Sequence, residues 1–539
     1  MNKWCFTYPR PRLKRDSFFS LNGKWLLNGN LIEVPFPREA KLSEYKGDLK
    51  TGDLVYEKTF TLPEKFAKYT DLIILHFGAV DQMCEVYLND EKIGEHVGGY
   101  SDFEIDITKY LKQENNLRVI CEDNLDKDYP YGKQTNKSKG MWYTRVSGIW
   151  QSVWVEAVPT TYVRNINVVA KQDRVIFDIA SSANYFGFTI NLDNNKKFIK
   201  LFKTNHIEIT FEEMGVKPHL WSIDDPFLYT VNIMAGTDNI ETYFAVRNIE
   251  MKNGYVYLND EAICIKGVLD QGYFEDGLYI PGNPQEYYDD VLRMKELGFN
   301  TLRKHIKLEP EIFYYACDKL GMLVMQDMIN SGKFRFLYHA GLPTIGITIN
   351  NDRIFVNEER YNNFLATSFE TIDKVRNHPC IFAYTIYNEG WGQQKADEAY
   401  EILKQRDPDR FFDATSGWFK KKNSDFDSYH IYFRNKVLKR KNKPLLLSEC
   451  GGFQMSVKDH TFKKNSNYGY GSVESVEELT DKYEEMFEKM IYPSLDNGLM
   501  GYIITQVSDV ENEINGFYTY DRQICKVNKK RLFDLNNAI

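Results

Sequence analysis

The chain has 539 residues, more than a single hydrophobic core serves, so two to four domains are expected. A formal charge of −8 at pH 7 speaks against a nucleic-acid surface, and no run approaches the roughly 18 apolar residues of a membrane span. Eight cysteines at wide, irregular spacing, with no CxxC pair, suggest buried free thiols rather than a disulfide framework or a zinc site. The opening residues carry no apolar signal core, which makes a cytoplasmic location the expectation.

Residues 1–158 are rich in short strands. Leu72–Phe77, 84–88, 103–107 and 117–121 are apolar or alternating, and Trp150-Gln-Ser-Val-Trp-Val-Glu156 closes the segment with a clear alternation. Turn residues between many short strands predict a β-sandwich. Residues 159–249 continue in this style through 163–170 and 229–234, and their length fits a small immunoglobulin-like sandwich.

From residue 250 onward, strands alternate with helices. Eight strands are predicted, at 263–268, 300–305, Leu323–Asp327, Ile381–Asn388, 411–414, Asp427–Ile431, 445–449 and 502–506. Asn283 before Pro284 predicts a helix start, Ser475 with Glu478 predicts a capping box, and longer helices are expected over 358–376 and 393–406. Eight strands alternating with helices predict a (β/α)8 barrel over 250–539.

Two of these strands end on a glutamate. Glu389 ends Ile381-Phe-Ala-Tyr-Thr-Ile-Tyr-Asn-Glu389-Gly-Trp391, and Glu449 ends Pro444-Leu-Leu-Leu-Ser-Glu449. An apolar run followed by a carboxylate is the pattern of a buried parallel strand opening at its C-terminal end into a site. On this count the two carboxylates end strands four and seven and face one another across the barrel mouth. Such a pair can divide acid and nucleophile roles at a glycosidic bond. A lone strand-end glutamate is more often a structural ion pair. A metal-dependent hydrolase is disfavoured, because nine His form no HxH pair on a strand.

Asn388-Glu389, Ser448-Glu449, the order of domains and the run Val507–Arg522 resemble glycoside hydrolase family 2. So do Tyr8-Pro-Arg-Pro, Leu21-Asn-Gly-Lys-Trp25 and Trp142-Tyr-Thr-Arg-Val-Ser-Gly-Ile-Trp-Gln151. The resemblance implies a sugar-binding-like jelly-roll sandwich, an immunoglobulin-like sandwich and a catalytic TIM barrel. It also implies a retaining β-glycosidase with Glu389 as acid/base and Glu449 as nucleophile. Asn388 would donate to the sugar 2-hydroxyl, Arg303 would pair with the nucleophile, and His305 would contact the sugar. Asp327 would be either a sugar ligand or the partner of Arg303. Tyr432 would bond the nucleophile, with His430 beside it. Trp391 and Trp418 would stack on sugar or line the rim, and Asp270 is a weaker subsite candidate.

Two departures bear on the substrate. The Asn-x-Lys with which the family's β-glucuronidases recognise a uronate corresponds here to Glu513-Ile514-Asn515, so β-glucuronidase is disfavoured. The loop Asn136-Lys-Ser-Lys-Gly-Met-Trp142 lacks the acid of well-known β-galactosidases, which weakens that default. β-Mannosidase, arabinosidase, galactofuranosidase and a non-catalytic carbohydrate-binding protein stay open. No cofactor is implied as required. Some family members bind Mg or Na near the acid/base, but no ligand set can be named here. A glycoside partner is expected, with no nucleic acid or membrane, and a homo-oligomer is compatible. The long loop 330–357 is a candidate lid or aglycone wall.

Overall fold

The computed structural model describes every residue except 1, 51, 65, 67–70, 193–195, 350, 433, 464–465 and 467. Its first sandwich packs a six-stranded antiparallel sheet against a four-stranded one. The smaller sheet is ordered Phe18–Ser20, Val153–Val158, Leu72–Phe77, Phe103–Asp106. Trp25, Tyr56, Val86, Leu117 and Val155 fill the space between them. The second sandwich sets the three strands Asn165–Ala170, Arg174–Ala180 and His206–Thr210 against a four-stranded sheet ending at Phe244.

The barrel strands are β1 (Ile265–Asp270), β2 (Thr301–Lys304), β3 (Leu323–Asp327), β4 (Ile381–Asn388), β5 (Phe411–Ser416), β6 (Asp427–Ile431), β7 (Leu445–Gly451) and β8 (Leu499–Thr505). They run parallel in the order β5-β4-β3-β2-β1-β8-β7-β6. Closure at the β5/β6 seam is made by the Ser428 hydroxyl, which donates to the Thr415 carbonyl and accepts the Gly417 N–H, each at 3.4 Å. Every residue of β3, β4 and β7 is buried, as expected for strands covered on both faces.

The first barrel strand begins two residues later than the sequence suggests. Glu261–Ile263 is instead the last strand of a three-stranded meander with Ile249–Lys252 and Tyr255–Leu258. Val256 and Leu258 from that meander pack with Leu323, Phe382, Leu446 and Ile503 and close the barrel floor. The site must therefore open at the other end.

Helix α1 spans Gln285–Glu296; Pro284 before it already has helical angles, and Asn283 Oδ1 accepts the Gln285 N–H at 3.2 Å, the expected cap with Pro at the first helical position. Helices α2 (Glu311–Leu320) and α3 (Glu358–Val375) follow; Asn357 caps α3. The helix expected from residue 393 begins only at Ala396 (α4, Ala396–Arg406), because Lys395 is left-handed at φ 44°. At α5 (Val476–Met486) Ser475 Oγ accepts the Glu478 N–H. The Glu478 carboxylate, however, accepts from Glu474 N–H rather than closing back on Ser475. All eight cysteines are free, five of them buried. No helix among the described residues is long and apolar enough to cross a membrane.

Candidate active site

Glu449 lies two residues before the end of β7, and Glu389 follows β4 directly. Glu389 adopts φ 57°, a left-handed conformation that costs a non-glycine residue roughly 1–2 kcal/mol. The turn is held by the Glu389 N–H, which donates to the Ser416 carbonyl at 2.9 Å. Gly390 is obligatory beside it, since a Cβ there would lie 2.3 Å from Asn351 Nδ2 and 2.6 Å from the Phe419 ring.

His430 on β6 joins the two carboxylates. Its Nδ1 is 3.0 Å from Glu389 Oε1 and 3.5 Å from Glu449 Oε2, while Nε2 meets Ser416 Oγ at 2.8 Å. One oxygen of each carboxylate and the imidazole nitrogen all lie within 4.8 Å of one another.

Arg303 on β2 is fully buried and organises the floor of the site. Its Nε donates to Asp327 Oδ1 (2.9 Å), and one terminal nitrogen donates to Glu449 Oε1 (3.0 Å) and the Ser448 carbonyl (3.1 Å). The other terminal nitrogen donates to Asn388 Oδ1 (3.0 Å). With its oxygen committed to Arg303, Asn388 turns its NH2 away from that contact and retains two donors. Tyr432 donates to Glu449 Oε2 and stacks on Tyr470, with centroids 4.3 Å apart. Burial alone would raise the Glu449 carboxyl, but His430, Arg303 and the Tyr432 hydroxyl outweigh it and hold the group at about 2. Glu449 is therefore an anion at neutral pH.

Asp327 is buried between Arg303 and His305, whose Nδ1 lies 2.7 Å from Asp327 Oδ2. Of the two roles left open, it takes that of partner to Arg303. Burial, reinforced by Lys133, depresses the His305 imidazole to about 4, so it is neutral at pH 7. Because Asp327 requires a proton on Nδ1, Nε2 is left as an acceptor.

Two expectations are corrected. Trp391 is only 2% exposed; its indole N–H donates to the Gly332 carbonyl at 2.7 Å, and its ring packs edge-on against Trp142 at 4.8 Å. It braces loop 330–357 against the Glu389 turn and offers no open face. Trp418, by contrast, is only half-buried and stands edge-on to His430 at 5.7 Å. Asp270 does not reach into the site either. It is buried in an ion pair with Lys304 (2.5 Å) and accepts the Gly272 N–H (2.8 Å). Loop 330–357 carries short helical turns at 337–344 and 351–354, and Asn351 Nδ2 reaches the Gly390 carbonyl at 3.3 Å.

Residues the sequence did not single out also meet here. Ser416 holds His430, Thr505 Oγ1 lies 3.3 Å from the Tyr432 hydroxyl, and Tyr470 stacks on Tyr432. Asp413, inside β5, is buried and electrostatically coupled to Arg303. Burial raises its carboxyl from 3.8 to about 6, against the pull of Ser428 and Arg303. A raised acid binds its proton more tightly when folded, so its contribution is fully present below the unfolded value and is lost as pH rises through about 6. Asp413→Asn should therefore add about 1–3 kcal/mol of stability at pH 8, seen as a higher Tm, with little change at pH 4. Thermal unfolding at both pH values checks this, and a lower Tm at pH 8 would contradict it.

A second cleft, of about 820 Å³ between the second sandwich and the barrel underside, holds none of these groups.

Comparison with known proteins agrees with this architecture. Residues 20–166 match the glycosyl hydrolase 2 galactose-binding domain-like model, and residues 249–520 match the glycosyl hydrolases family 2 TIM barrel domain. A β-galactosidase of Thermoanaerobacter pseudethanolicus is 26% identical over 61% of this chain and 44% of its own length. A putative β-glucuronidase of Formosa agariphila is 25% identical over 58% of this chain and 37% of its own length. The matched parts thus span less than half of these relatives. The solved β-glucuronidase of Ruminococcus gnavus superposes with a TM-score of 0.77 over 100% of both chains at 18% identity, a likeness of fold. With the barrel model alone spanning half of its residues, the chain belongs to glycoside hydrolase family 2.

Proposed function

We propose that this chain is a retaining, exo-acting β-glycosidase for a neutral terminal sugar, with Glu389 as acid/base and Glu449 as nucleophile. The observation that carries this reading is the approach of the two carboxylates to within 4.8 Å, oxygen to oxygen, around His430. Retaining enzymes hold the pair about 5–5.5 Å apart, whereas inverting ones leave about 6.5–9.5 Å for an intervening water. The ionised state of Glu449 supports the nucleophile assignment.

In the first step a Glu449 oxygen bonds to the anomeric carbon as the glycosidic C–O bond breaks, and Glu389 transfers its proton to the departing oxygen. In the second, Glu389 takes a proton from water, whose oxygen attacks the anomeric carbon and releases Glu449 as carboxylate. Asn388 NH2 would donate to the 2-hydroxyl, a bond that strengthens as positive charge grows on the ring. His305 Nε2 would accept from another hydroxyl.

A panel of nitrophenyl β-galactoside, mannoside, glucuronide, arabinoside and galactofuranoside tests the reading. Hydrolysis of a neutral member, with β-galactoside the default, is expected. The glucuronide should be at least about tenfold poorer, because a buried carboxylate, Glu513, stands in place of the uronate motif's Asn and Asn515 in place of its Lys, so the cation is missing. No turnover of any member, or the glucuronide as best substrate, would contradict it.

Glu389, His430 and Glu449 could also ligate a cation. The Arg303 guanidinium on Glu449 already supplies positive charge there, which disfavours a second cation. Activity is therefore expected to survive EDTA unchanged, and a loss restored by Mg would overturn this point.

A further inference from the structure

Lys133 reaches the barrel mouth from the first sandwich, and its backbone is fixed on every side. The Tyr131 and Gly132 N–H groups donate to the Asn330 carbonyl at 3.1 and 3.3 Å, and the Tyr143 N–H donates to the Lys133 carbonyl at 3.0 Å. The Gln134 amide is buried against Asp81 and Val146. Gly132, at φ 65°, permits an approach so close that a Cβ there would lie 3.0 Å from the Ile306 carbonyl, next to His305. On the other side, the Tyr143 hydroxyl donates to Glu513 Oε2 at 2.5 Å. Lys133 is thereby anchored between the residue after His305 and the residue that holds Glu513.

The Lys133 side chain is half-buried, yet its ammonium has no hydrogen-bond or ion-pair partner among the described residues. Glu513 is 5% exposed; Tyr143 and Asn515 each donate to one of its oxygens, leaving lone pairs on both. Lys133 acts electrostatically on both Glu513 and His305 yet makes no ion pair inside 4 Å with Glu513, and an ammonium and a carboxylate so disposed leave room for a group that can accept from one and donate to the other. A hydroxyl does both, whereas a carboxylate would gain Lys133 and meet the charge of Glu513.

We propose that Lys133 and Glu513 form a specificity-determining pair that holds one hydroxyl of a neutral glycone, the ammonium donating and the carboxylate accepting. This rests on reading the Glu389–Glu449 centre as a sugar site.

The test measures sugar binding by calorimetry in a Glu449→Gln background, using the neutral glycosides and the glucuronide of the panel. Adding Lys133→Met should weaken the best neutral ligand on the order of tenfold or more, as for loss of a charge-assisted hydrogen bond. Lys133→Gln, which keeps a donor, should lose less. Glu513→Gln should also weaken binding, and the double variant should lose less than the product of the two, because both contacts serve one hydroxyl. An unchanged Kd in Lys133→Met, binding of no sugar, or tighter binding of the glucuronide than of every neutral glycoside would overturn the proposal. If the wild type hydrolyses nothing but binds a neutral sugar through Lys133, the catalytic reading fails and the pair stands. If it hydrolyses a neutral glycoside and ignores Lys133, the reverse holds.

Discussion

Glu449→Gln is expected to lower kcat by about 10⁴-fold or more while leaving Tm close to wild type. The amide matches the carboxylate in shape; its oxygen can still accept from Arg303, and its NH2 can donate to the Tyr432 hydroxyl in place of the bond Tyr432 now donates, so the buried contacts around it largely survive. What is lost is an anion able to form a bond to the anomeric carbon, and nothing else within reach replaces it. Glu389→Gln should behave differently. An acid is needed most when the departing oxygen is a poor leaving group. Turnover of alkyl glycosides should therefore collapse, while aryl glycosides of low leaving-group pKa retain much more of their rate. Kinetics across a leaving-group series separate the two variants. Equal losses in Glu389→Gln for good and poor leaving groups would contradict the division of roles.

Arg303→Met is the second change with a large expected effect, on both stability and activity. Arg303 has no exposed surface and satisfies Asp327, Glu449, Asn388 and the Ser448 carbonyl at once. Its removal leaves two buried carboxylates without their shared cation, a change that typically costs about 3–5 kcal/mol. The electrostatic consequence has a definite sign. Arg303 is one of the groups holding Glu449 at about 2, so its loss raises the Glu449 pKa. The nucleophile then protonates at higher pH, and the acid limb of kcat/KM moves upward. Arg303→Lys keeps the charge but not the fork that reaches three side chains. It should show a smaller pH shift, together with a rate loss on the order of 10²-fold or more from misplaced Asn388 and Glu449. Pairing pH–rate profiles with thermal unfolding separates the two effects, and an unshifted acid limb in Arg303→Met would contradict the role given to Arg303.

The barrel was legible in the sequence because its strands are buried on both faces and so form unbroken apolar runs, each ending where polarity returns. That pattern placed β3, β4 and β6 at their observed limits and put Glu389 and Glu449 at one end of the barrel. It failed at β1, where Glu261–Ile263 and the strand after it form one nearly continuous run. Only the tertiary pairing with Tyr255–Leu258 separates the meander from the barrel. It also failed at Trp391. An aromatic beside a strand-end glutamate suggests a sugar platform, but the ring is consumed by Trp142 and Gly332, both distant in sequence. Asp270 was misread for the same reason, since Lys304 neutralises it from the next strand. Lys133, Tyr470 and Ser416 gave no local signal, because their relevance arises from where the sandwich loop and the β5 and β7 loops converge.

The most direct measurement of the central claim is mass spectrometry of the protein after incubation with the 2-deoxy-2-fluoro analogue of its best glycoside. Fluorine at C2 destabilises both positively charged transition states, so an intermediate that forms with a good leaving group then persists. One added glycosyl mass on the peptide that carries Glu449, absent in Glu449→Gln, is the predicted result. Steady turnover of the parent glycoside with no adduct, or an adduct on any other residue, would contradict it.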